Sequence, residues 1–373
     1  MRKIYSKCSK SLVLSFAGLS LLLASCKKDN SLRGTPEITG TKGIYVLCEG
    51  SWGANNSAIT YYDVASNTTI KDYFQQVNGR PLGETANDLQ VYGSKMYCVV
   101  SGTQNKAQSY VIVMDLATGK SLKSIPFNTA NDGYIPRYIT FYKNKAYVSR
   151  YDGVISRIDT ATLSVDKELQ LMNGTNKAGG LEGLAVANGK LYVTNSNHSF
   201  YPDGLKDKVT VIDLETFTKK TDIAVVFNPV KIAAAENGDL LVVSWGNYDD
   251  IDPQLTRINS NTDAVNGTYP YNAGPLAIVK NKAYMVLDWN ATLKTFDMVT
   301  AALSNDFITD NTSFNAMYGV NINNYDGTVL ITDADFSNPS TGQAHVFSAD
   351  GKKKYSFPTA GSPNHAVFTY NYN

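Results

Sequence analysis

Near the start of the chain, a polar loop separates two alternating apolar runs, at residues 44–47 and 58–62. Both runs have the length and the composition of a β-strand, because they are short and rich in β-branched and aromatic residues. The loop between them carries Trp52 and, three positions later, Asn55 and Asn56. The segment therefore predicts a strand, a long loop with an aromatic side chain, and a second strand.

This strand–loop–strand pattern is found seven times along the chain. The copies align on one Tyr or Leu, the anchor residue of the strand before each loop: Tyr45, Tyr97, Tyr147, Tyr192, Leu241, Tyr284 and Leu330. Successive anchor residues are 43 to 52 positions apart. A period of this length, built only from strand patterns, is typical of the blades of a β-propeller. The sequence therefore predicts an all-β fold, a seven-bladed β-propeller.

Each repeat also contains strands on both sides of the anchor strand. An entry strand and a tight turn precede it, and a strand that ends in Asp and an outer strand follow it. The first repeat has no entry strand, whereas the chain ends with a lone entry strand at residues 363–368. We predict that this C-terminal strand pairs with the first blade and closes the ring, since an open sheet edge is otherwise exposed. The predicted propeller covers residues 42–373.

The N-terminal residues have the pattern of an export signal. A basic start is followed by an apolar run at residues 11–25 that is too short to span a bilayer as a helix. The run ends in Leu-Ala-Ser-Cys, which resembles the lipobox of bacterial lipoproteins and implies cleavage before Cys26 and lipidation of its thiol. Residues 1–25 are thus predicted to be a signal peptide and residues 26–41 a lipidated tether. The alternative is an ordinary signal peptide with a chance cysteine.

The net charge narrows the choice of partners. The whole chain has 34 Lys and Arg against 33 Asp and Glu. Residues 1–25 hold four of the basic residues and no acidic ones, so the net charge of the mature chain is 30 − 33 = −3. A mildly acidic protein gives no reason to expect nucleic acid or an anionic membrane surface as a partner.

Cys48 and Cys98 lie in strand patterns, and we expect two buried free thiols rather than a disulfide, although a disulfide is possible outside the cytoplasm.

The predicted loops concentrate large aromatic side chains. In a propeller, the loops after the anchor strands and the starts of the entry strands lie on one face. All three tryptophans fall in these loops, and the loops also hold aromatic residues and asparagines: Trp52, Trp245, Trp289, Tyr151, Phe200, Tyr201, Tyr248, Phe336, Asn55, Asn56, Asn105, Asn195, Asn197, Asn247 and Asn290. This composition predicts a binding face for a bulky, flat ligand of mixed polarity. The alternative is that the rings pack beneath their own loops.

Polar residues of the entry strands are expected near the propeller axis. They are Asp88, Arg137, Glu182, Lys231 and His365. They either contact the ligand or simply line the channel and pair neighbouring blades. His198, in the longest loop, either reaches a metal centre or is solvated. The predicted ligand-binding residues are Trp52, Asn55, Asn56, Asp88, Arg137, Tyr151, Glu182, His198, Tyr201, Trp245, Tyr248, Trp289 and Phe336.

Signals of catalysis are weak. The chain lacks the paired His or Cys motifs of metal sites, the Gly-x-Ser-x-Gly nucleophile motif and a phosphate-binding glycine loop. The acidic segments 249–252 and 333–335 do not match a complete calcium loop. We therefore expect a protein that is not an enzyme, with no catalytic residue, no metal and no cofactor.

Two segments resemble a known family. Residues 43–56, GIYVLCEGSWGANN, and the motifs LGETAND and YGSKMY at residues 82–97 resemble the YncE-like propeller lipoproteins of Bacteroidota, in particular the BtuG-type cobalamin-binding lipoproteins. The resemblance implies a lipid-anchored protein of the outer membrane, exposed at the cell surface. It also implies that the protein captures cobalamin or a related corrinoid and passes it to a TonB-dependent transporter. Cys48 departs from the pattern, in which Asn is expected.

Other functions remain open from the residues alone. A ferric siderophore or a glycan fits the same architecture, and a pocket made positive by Arg137 and Lys231 favours an anionic siderophore. A propeller lyase or lactonase that uses channel carboxylates and calcium belongs to a different class. An adhesion module that uses the aromatic loops against another protein is a third possibility.

Overall fold

The structure is a computed structural model that describes residues 37–102, 108–127, 135–199, 201–289 and 292–373. The predicted signal peptide, the tether up to residue 36 with its Cys26, and the loop residues Asn105, Phe200 and Asn290 lie outside the described residues. In chain order the strands are β1 (Ile38–Cys48), β2 (Ala58–Asp63), β3 (Thr68–Ile70), β4 (Ala86–Tyr92), β5 (Lys95–Val100), β6 (Tyr110–Asp115), β7 (Ser121–Pro126), β8 (Pro136–Tyr142), β9 (Lys145–Arg150), β10 (Val154–Asp159), β11 (Ser164–Gln170), β12 (Met172–Asn173), β13 (Asn176–Lys177), β14 (Leu181–Ala187), β15 (Lys190–Asn195), β16 (Lys208–Asp213), β17 (Thr218–Ala224), β18 (Pro229–Ala234), β19 (Asp239–Ser244), β20 (Gln254–Asn259), β21 (Ala264–Tyr269), β22 (Ala273–Val279), β23 (Lys282–Leu287), β24 (Thr292–Asp297), β25 (Leu303–Asp306), β26 (Met317–Ile322), β27 (Val329–Ala334), β28 (Gly342–Phe347), β29 (Lys353–Thr359) and β30 (Pro363–Tyr372).

Seven four-stranded antiparallel sheets form the blades of a seven-bladed β-propeller. From blade 1 to blade 7 they consist of β30 with β1–β3, β4–β7, β8–β11, β14–β17, β18–β21, β22–β25 and β26–β29. The short strands β12 and β13 form a hairpin between blades 3 and 4. The predicted fold class and blade number are confirmed.

The C-terminal strand closes the ring. β30 pairs antiparallel with β1, from the Ile38–Tyr372 pair to the Cys48–Pro363 pair. The prediction that the last entry strand completes the first blade is therefore confirmed. β1 begins at Ile38, so regular structure starts within the segment predicted as a tether. The propeller is one compact unit, Ile38–Asn373.

The core lies between neighbouring blades. All seven anchor residues are buried, with at most 6% of their surface exposed. One cluster joins Tyr45 and Leu47 of blade 1 to Met96 and Cys98 of blade 2, because alternate side chains of a strand point to opposite faces of its sheet. Cys48 and Cys98 are buried free thiols, as expected.

The aspartate that ends the third strand of many blades forms the turn that follows. Its carboxylate accepts the backbone N–H of the residue three positions later, at 2.8 Å for Ser66 on Asp63 and at 2.8 Å for Thr216 on Asp213. The backbone hydrogen bond from Thr216 is the main cause of a lowered pKa at Asp213. The repeated aspartate therefore has a structural role in the blades that carry it.

One helix lies between β3 and β4. This helix, α1 (Tyr73–Asn78), starts where the Asp72 side chain accepts the backbone N–H of Gln75 at 3.0 Å. It ends at Gly79, which has φ of 68°, and it buries Phe74. Its six residues are too few to produce a helical period in the sequence. No helix in the described part of the chain is long and apolar enough to cross a membrane.

Candidate functional site

The innermost strand of every blade begins with a shift in its pairing to the anchor strand. The shifts follow Ala86, Pro136, Leu181, Pro229, Ala273, Met317 and Pro363. Such a β-bulge leaves one or two residues out of the ladder and turns their side chains in a new direction. The bulge residues, as we call them, are Asn87, Arg137, Tyr138, Glu182, Gly183, Val230, Gly274, Pro275, Tyr318 and Asn364.

The bulge residues line a cavity on the loop face. The cavity has a volume of about 350 Å³, and most of the bulge residues contribute to it, including Asn87, Arg137 and Tyr318. Three aromatic loop residues, Trp245, Trp289 and Phe336, line the same cavity. Entry-strand starts and anchor loops thus meet on one face. The structure brings four of the predicted ligand-binding residues, Arg137 and these three aromatics, to one cavity.

Two tryptophans form one wall. The rings of Trp245 and Trp289 lie 5.4 Å apart at an angle of 49°. Trp245 is fixed, since its indole N–H donates to the carbonyl of Ala273 at 3.2 Å. Trp289 is 60% exposed, and its backbone has φ of 54°, which bulky residues rarely adopt. Trp245 therefore supports Trp289, which faces solvent at the edge of the cavity.

A second aromatic pair contributes another part of the wall. The Phe336 ring meets the Tyr318 ring edge-on at 5.5 Å, and Phe336 is 62% exposed. The Tyr318 hydroxyl donates to Oε2 of Glu49 at 2.8 Å. Burial, and then the charge of Glu49, raise the pKa of Tyr318, so this hydroxyl stays protonated. Tyr318 thus presents an apolar face with one fixed polar end.

Arg137 is held by a buried network. Its Nε donates to Oε2 of Glu182 at 3.1 Å, and its guanidinium lies 4.9 Å from the centre of the Tyr151 ring. Tyr151 is buried, and its hydroxyl donates to the other oxygen of Glu182. Burial opposes the charge of Arg137, but the Glu182 carboxylate, together with smaller contributions from Tyr151, Tyr138 and Glu49, outweighs it and raises the pKa of Arg137. Glu182 and Tyr151 therefore position Arg137.

Two further predicted residues pack beside this network. The ring of His198 lies 4.3 Å from that of Tyr151 and 5.4 Å from that of Tyr201. Burial lowers the pKa of His198, so this imidazole is held in its neutral form. Arg137, Tyr151, Glu182, His198 and Tyr201 thus form one cluster next to the cavity.

A polar channel continues from the cavity along the propeller axis. It has a volume of about 650 Å³, and it shares Tyr138, Lys231 and His365 with the cavity. Asp88 lies in the channel, where its carboxylate accepts the backbone N–H of Ile139 at 2.9 Å. Asp88, one of the predicted ligand-binding residues, therefore lines the channel and not the cavity.

The remaining predicted residues lie on the loops around the cavity. Trp52 is 66% exposed and Tyr248 is 72% exposed, so neither ring packs beneath its loop. The Asn56 side chain accepts the backbone N–H of Ser51 at 2.8 Å, and Asn55 has φ of 50°. Both asparagines therefore shape the loop that presents Trp52. None of these four residues lines the cavity.

Sequence reasoning missed several cavity residues. Glu49, Tyr138, Tyr318 and Asn364 were not singled out, although each lies at a strand end on the loop face. For Tyr138, Tyr318 and Asn364 the available signal was an uncharged polar or aromatic residue within the first three positions of an entry strand, whereas Glu49 directly follows the first anchor strand. Only charged residues and histidines were selected at those positions.

No metal centre is evident in the part of the chain that the structure describes. No three His, Cys, Asp or Glu side chains of those residues are grouped in a way that would hold a metal ion. His198 has aromatic neighbours in its cluster, and its neutral form is favoured by burial.

Solved structures with similar folds include proteins of different kinds. The periplasmic gluconolactonase PpgL of Pseudomonas aeruginosa aligns with a TM-score of 0.61 at 11% identity, over 87% of this chain and 99% of that one. The hydrazine synthase of Kuenenia stuttgartiensis aligns with a TM-score of 0.53 at 13% identity, over 69% of this chain and 74% of that one. The computationally designed protein Ika8 aligns with a TM-score of 0.52 at 12% identity, over 86% of this chain and 88% of that one. At such identities the likeness concerns the fold alone.

A search among curated proteins finds no match. The sequence profile of one protein family matches residues 42–362, which is most of the chain. The chain therefore belongs to the family described as a domain of unknown function, DUF5074.

Proposed function

We propose that this protein captures cobalamin or a related corrinoid on its loop face. In this proposal it is a lipoprotein anchored through Cys26 in the outer membrane, exposed at the cell surface, and it passes the ligand to a TonB-dependent transporter without chemical change. The proposal draws on the resemblance of residues 43–56 to cobalamin-binding propeller lipoproteins and on the architecture of the loop face.

One observation carries the proposal: exposed aromatic rings surround a preformed cavity. Trp289 and Phe336 line the cavity and yet each exposes about three-fifths of its surface. Exposed aromatic side chains around a pocket are typical of ligand-binding surfaces, because their burial on binding removes apolar area from water. A flat macrocycle fringed with amides matches this arrangement, since the rings offer apolar faces and the bulge residues offer polar groups.

The size of the cavity defines how such a ligand is placed. A volume of about 350 Å³ accepts a side group, while the macrocycle lies across the surrounding aromatic rings. The bulge residues of the cavity wall are held between paired segments of their strands, so little conformational entropy is lost there on binding. A lipid anchor at Cys26 keeps the protein beside its transporter and raises the effective concentration for transfer.

Titration with cyanocobalamin tests the proposal. Calorimetry and co-elution of the red chromophore with the purified protein are expected to show one-to-one binding. Trp289→Ala is expected to weaken it by about 2 kcal/mol, or roughly 30-fold in Kd, as for a central aromatic contact. Tyr325→Ala is the matched control, because Tyr325 is an exposed aromatic residue at the β26–β27 turn on the opposite face.

Absence of binding at micromolar concentrations would exclude cobalamin. A ferric siderophore or a glycan would then be titrated against the same variants. Equal effects of Trp289→Ala and Tyr325→Ala would contradict the placement of the ligand on the loop face. Hydrolysis of a lactone that a chelator abolishes would instead establish an enzyme, and binding only to a protein partner would establish an adhesion module.

A further inference from the structure

Lys231 is a cation without a partner in the described structure. It lies next to the bulge of β18, half-buried, and it lines both the cavity and the axial channel. Within the described ranges its ammonium group makes no hydrogen bond and no ion pair. Other cations that are largely buried are paired: Lys190 binds Asp263, and Arg137 binds Glu182.

The carboxylates around Lys231 accept hydrogen bonds from other groups. Glu182 accepts from Arg137 and Tyr151, and Asp88 accepts from the backbone of Ile139 and from Gln90. Glu49, on the cavity wall, accepts from the Tyr318 hydroxyl. The other charged or titratable groups facing Lys231 are Arg137 and His365. These carboxylates act on Lys231 only through their charge at a distance, and within the described residues none of them forms an ion pair with its ammonium group.

A half-buried ammonium group without a counter-ion is costly to maintain. Burial lowers the pKa of Lys231, and the Glu182 carboxylate opposes this shift only in part. An anion supplied from outside would remove the cost, and the aromatic wall would strengthen the attraction by excluding water. The cavity thus offers an apolar entrance with a cationic floor.

We infer that the cavity floor is an anion subsite, in which Lys231 binds a phosphate or carboxylate group of the ligand. The group enters beside the Trp245–Trp289 pair, and the flat apolar part of the same ligand stays against the rings. The inference deepens the proposed function and rests on it only for the identity of the anion, which in cobalamin is the phosphodiester of the nucleotide arm.

A pair of small probes tests the subsite without any corrinoid. 2-Naphthoate and its neutral analogue 2-naphthamide are titrated against the protein, with tryptophan fluorescence as the readout. Naphthoate is expected to bind roughly 10- to 100-fold more tightly, the usual value of a hydrogen bond to a charged group. Equal affinities for the two probes would overturn the inference.

Variants of Lys231 identify the group responsible. Lys231→Met is expected to abolish the preference for naphthoate and to leave the naphthamide affinity unchanged. Lys231→Gln is a second neutral variant in case the first does not fold, and Lys352→Met is the matched control, since the Lys352 side chain is 74% exposed and lies outside the cavity. A preference that survives in a folded Lys231 variant would overturn the inference.

Two corrinoids separate the anion subsite from the proposed function. Cyanocobalamin carries the phosphodiester, whereas dicyanocobinamide lacks the nucleotide arm. Lys231→Met is expected to raise the Kd of cyanocobalamin by roughly 10-fold or more and to leave the Kd of dicyanocobinamide unchanged. If neither corrinoid binds but naphthoate does, the proposed function fails and the subsite stands, with a carboxylate as its ligand. If both corrinoids bind and the variant affects them equally, the proposed function stands and the subsite fails.

Discussion

The Arg137–Glu182 pair should be the most sensitive polar contact of the site. Arg137 has Glu182 as its one carboxylate partner among the described residues, and the two side chains are only 16% and 9% exposed. Glu182→Gln removes the negative charge while it keeps the shape of the side chain. The guanidinium then remains in a largely buried place without a counter-ion.

The expected cost is about 3 kcal/mol in the free energy of unfolding. Removing one partner of a buried ion pair costs about 3–5 kcal/mol. The lower end applies because the Gln oxygen can still accept the hydrogen bond from Arg137 Nε, at the position where Glu182 now accepts it at 3.1 Å. A neutral pair, Arg137→Met with Glu182→Leu, should cost less than Glu182→Gln alone, since no charge is then left unpaired.

Urea denaturation of the purified protein measures these effects through the shift of the transition midpoint. Glu168→Gln is the matched control, because it also breaks an Arg–Glu contact, here with Arg150 at 2.6 Å. Arg150 keeps Asp152 at 2.6 Å, and the Glu168 side chain is 50% exposed, so this change should cost less than about 1 kcal/mol. Equal losses for Glu182→Gln and Glu168→Gln would refute the idea that Arg137 depends on one buried carboxylate.

Three further outcomes follow from the architecture. Deleting residues 363–373 removes the nine pairs that β30 makes with β1 and should lower the free energy of unfolding by at least about 5 kcal/mol, with recovery when the peptide is added back in a thermal melt. Gly319→Ala should lower the free energy of unfolding by about 1–3 kcal/mol, measured by urea denaturation, because its methyl group would meet the Asn364 carbonyl at 1.9 Å. Gly274→Ala is the control and should be neutral, since the nearest atom to its methyl group is 4.0 Å away. Equal effects of the two changes would contradict the close approach of β26 and β30. Burial lowers the pKa of His365 below the unfolded value of 6.5, so below about pH 6.5 the unfolded chain binds more protons than the folded chain and the free energy of unfolding should decline. His365→Asn should flatten this decline in denaturation experiments at pH 5 to 7. An unchanged slope in the variant would contradict the role of His365.

Much of the fold was predictable because the repeat is dominated by local patterns. The anchor residues recur at nearly regular intervals, and all of them are buried at the centres of their strands. Closure of the ring followed from a missing first strand and a surplus last strand, as the pairing of β1 with β30 confirms. These features depend on strand periodicity and on sheet edges, which a single sequence displays directly.

The details of the site were less predictable because they depend on one-residue shifts. A bulge leaves the apolar pattern of a strand almost unchanged but redirects the side chains at its start, so Tyr138 and Tyr318 were overlooked. Tyr151 and Trp289 both lie in loops, yet Tyr151 is buried against Glu182 and Trp289 is exposed. Loop membership alone does not distinguish a supporting ring from a presented one.

The bulges at the starts of the innermost strands separate selection on the chemistry of the cavity from selection on the strand pairing of the blades. A bulge residue takes no part in strand pairing, so its replacement can alter the chemistry of the cavity while the blade keeps its hydrogen-bonded ladder. Seven blades supply such positions around one axis. Substitutions restricted to the bulge residues should therefore change the chemistry of the cavity while the blades stay folded, and a library limited to these positions would be a compact starting point for redesign.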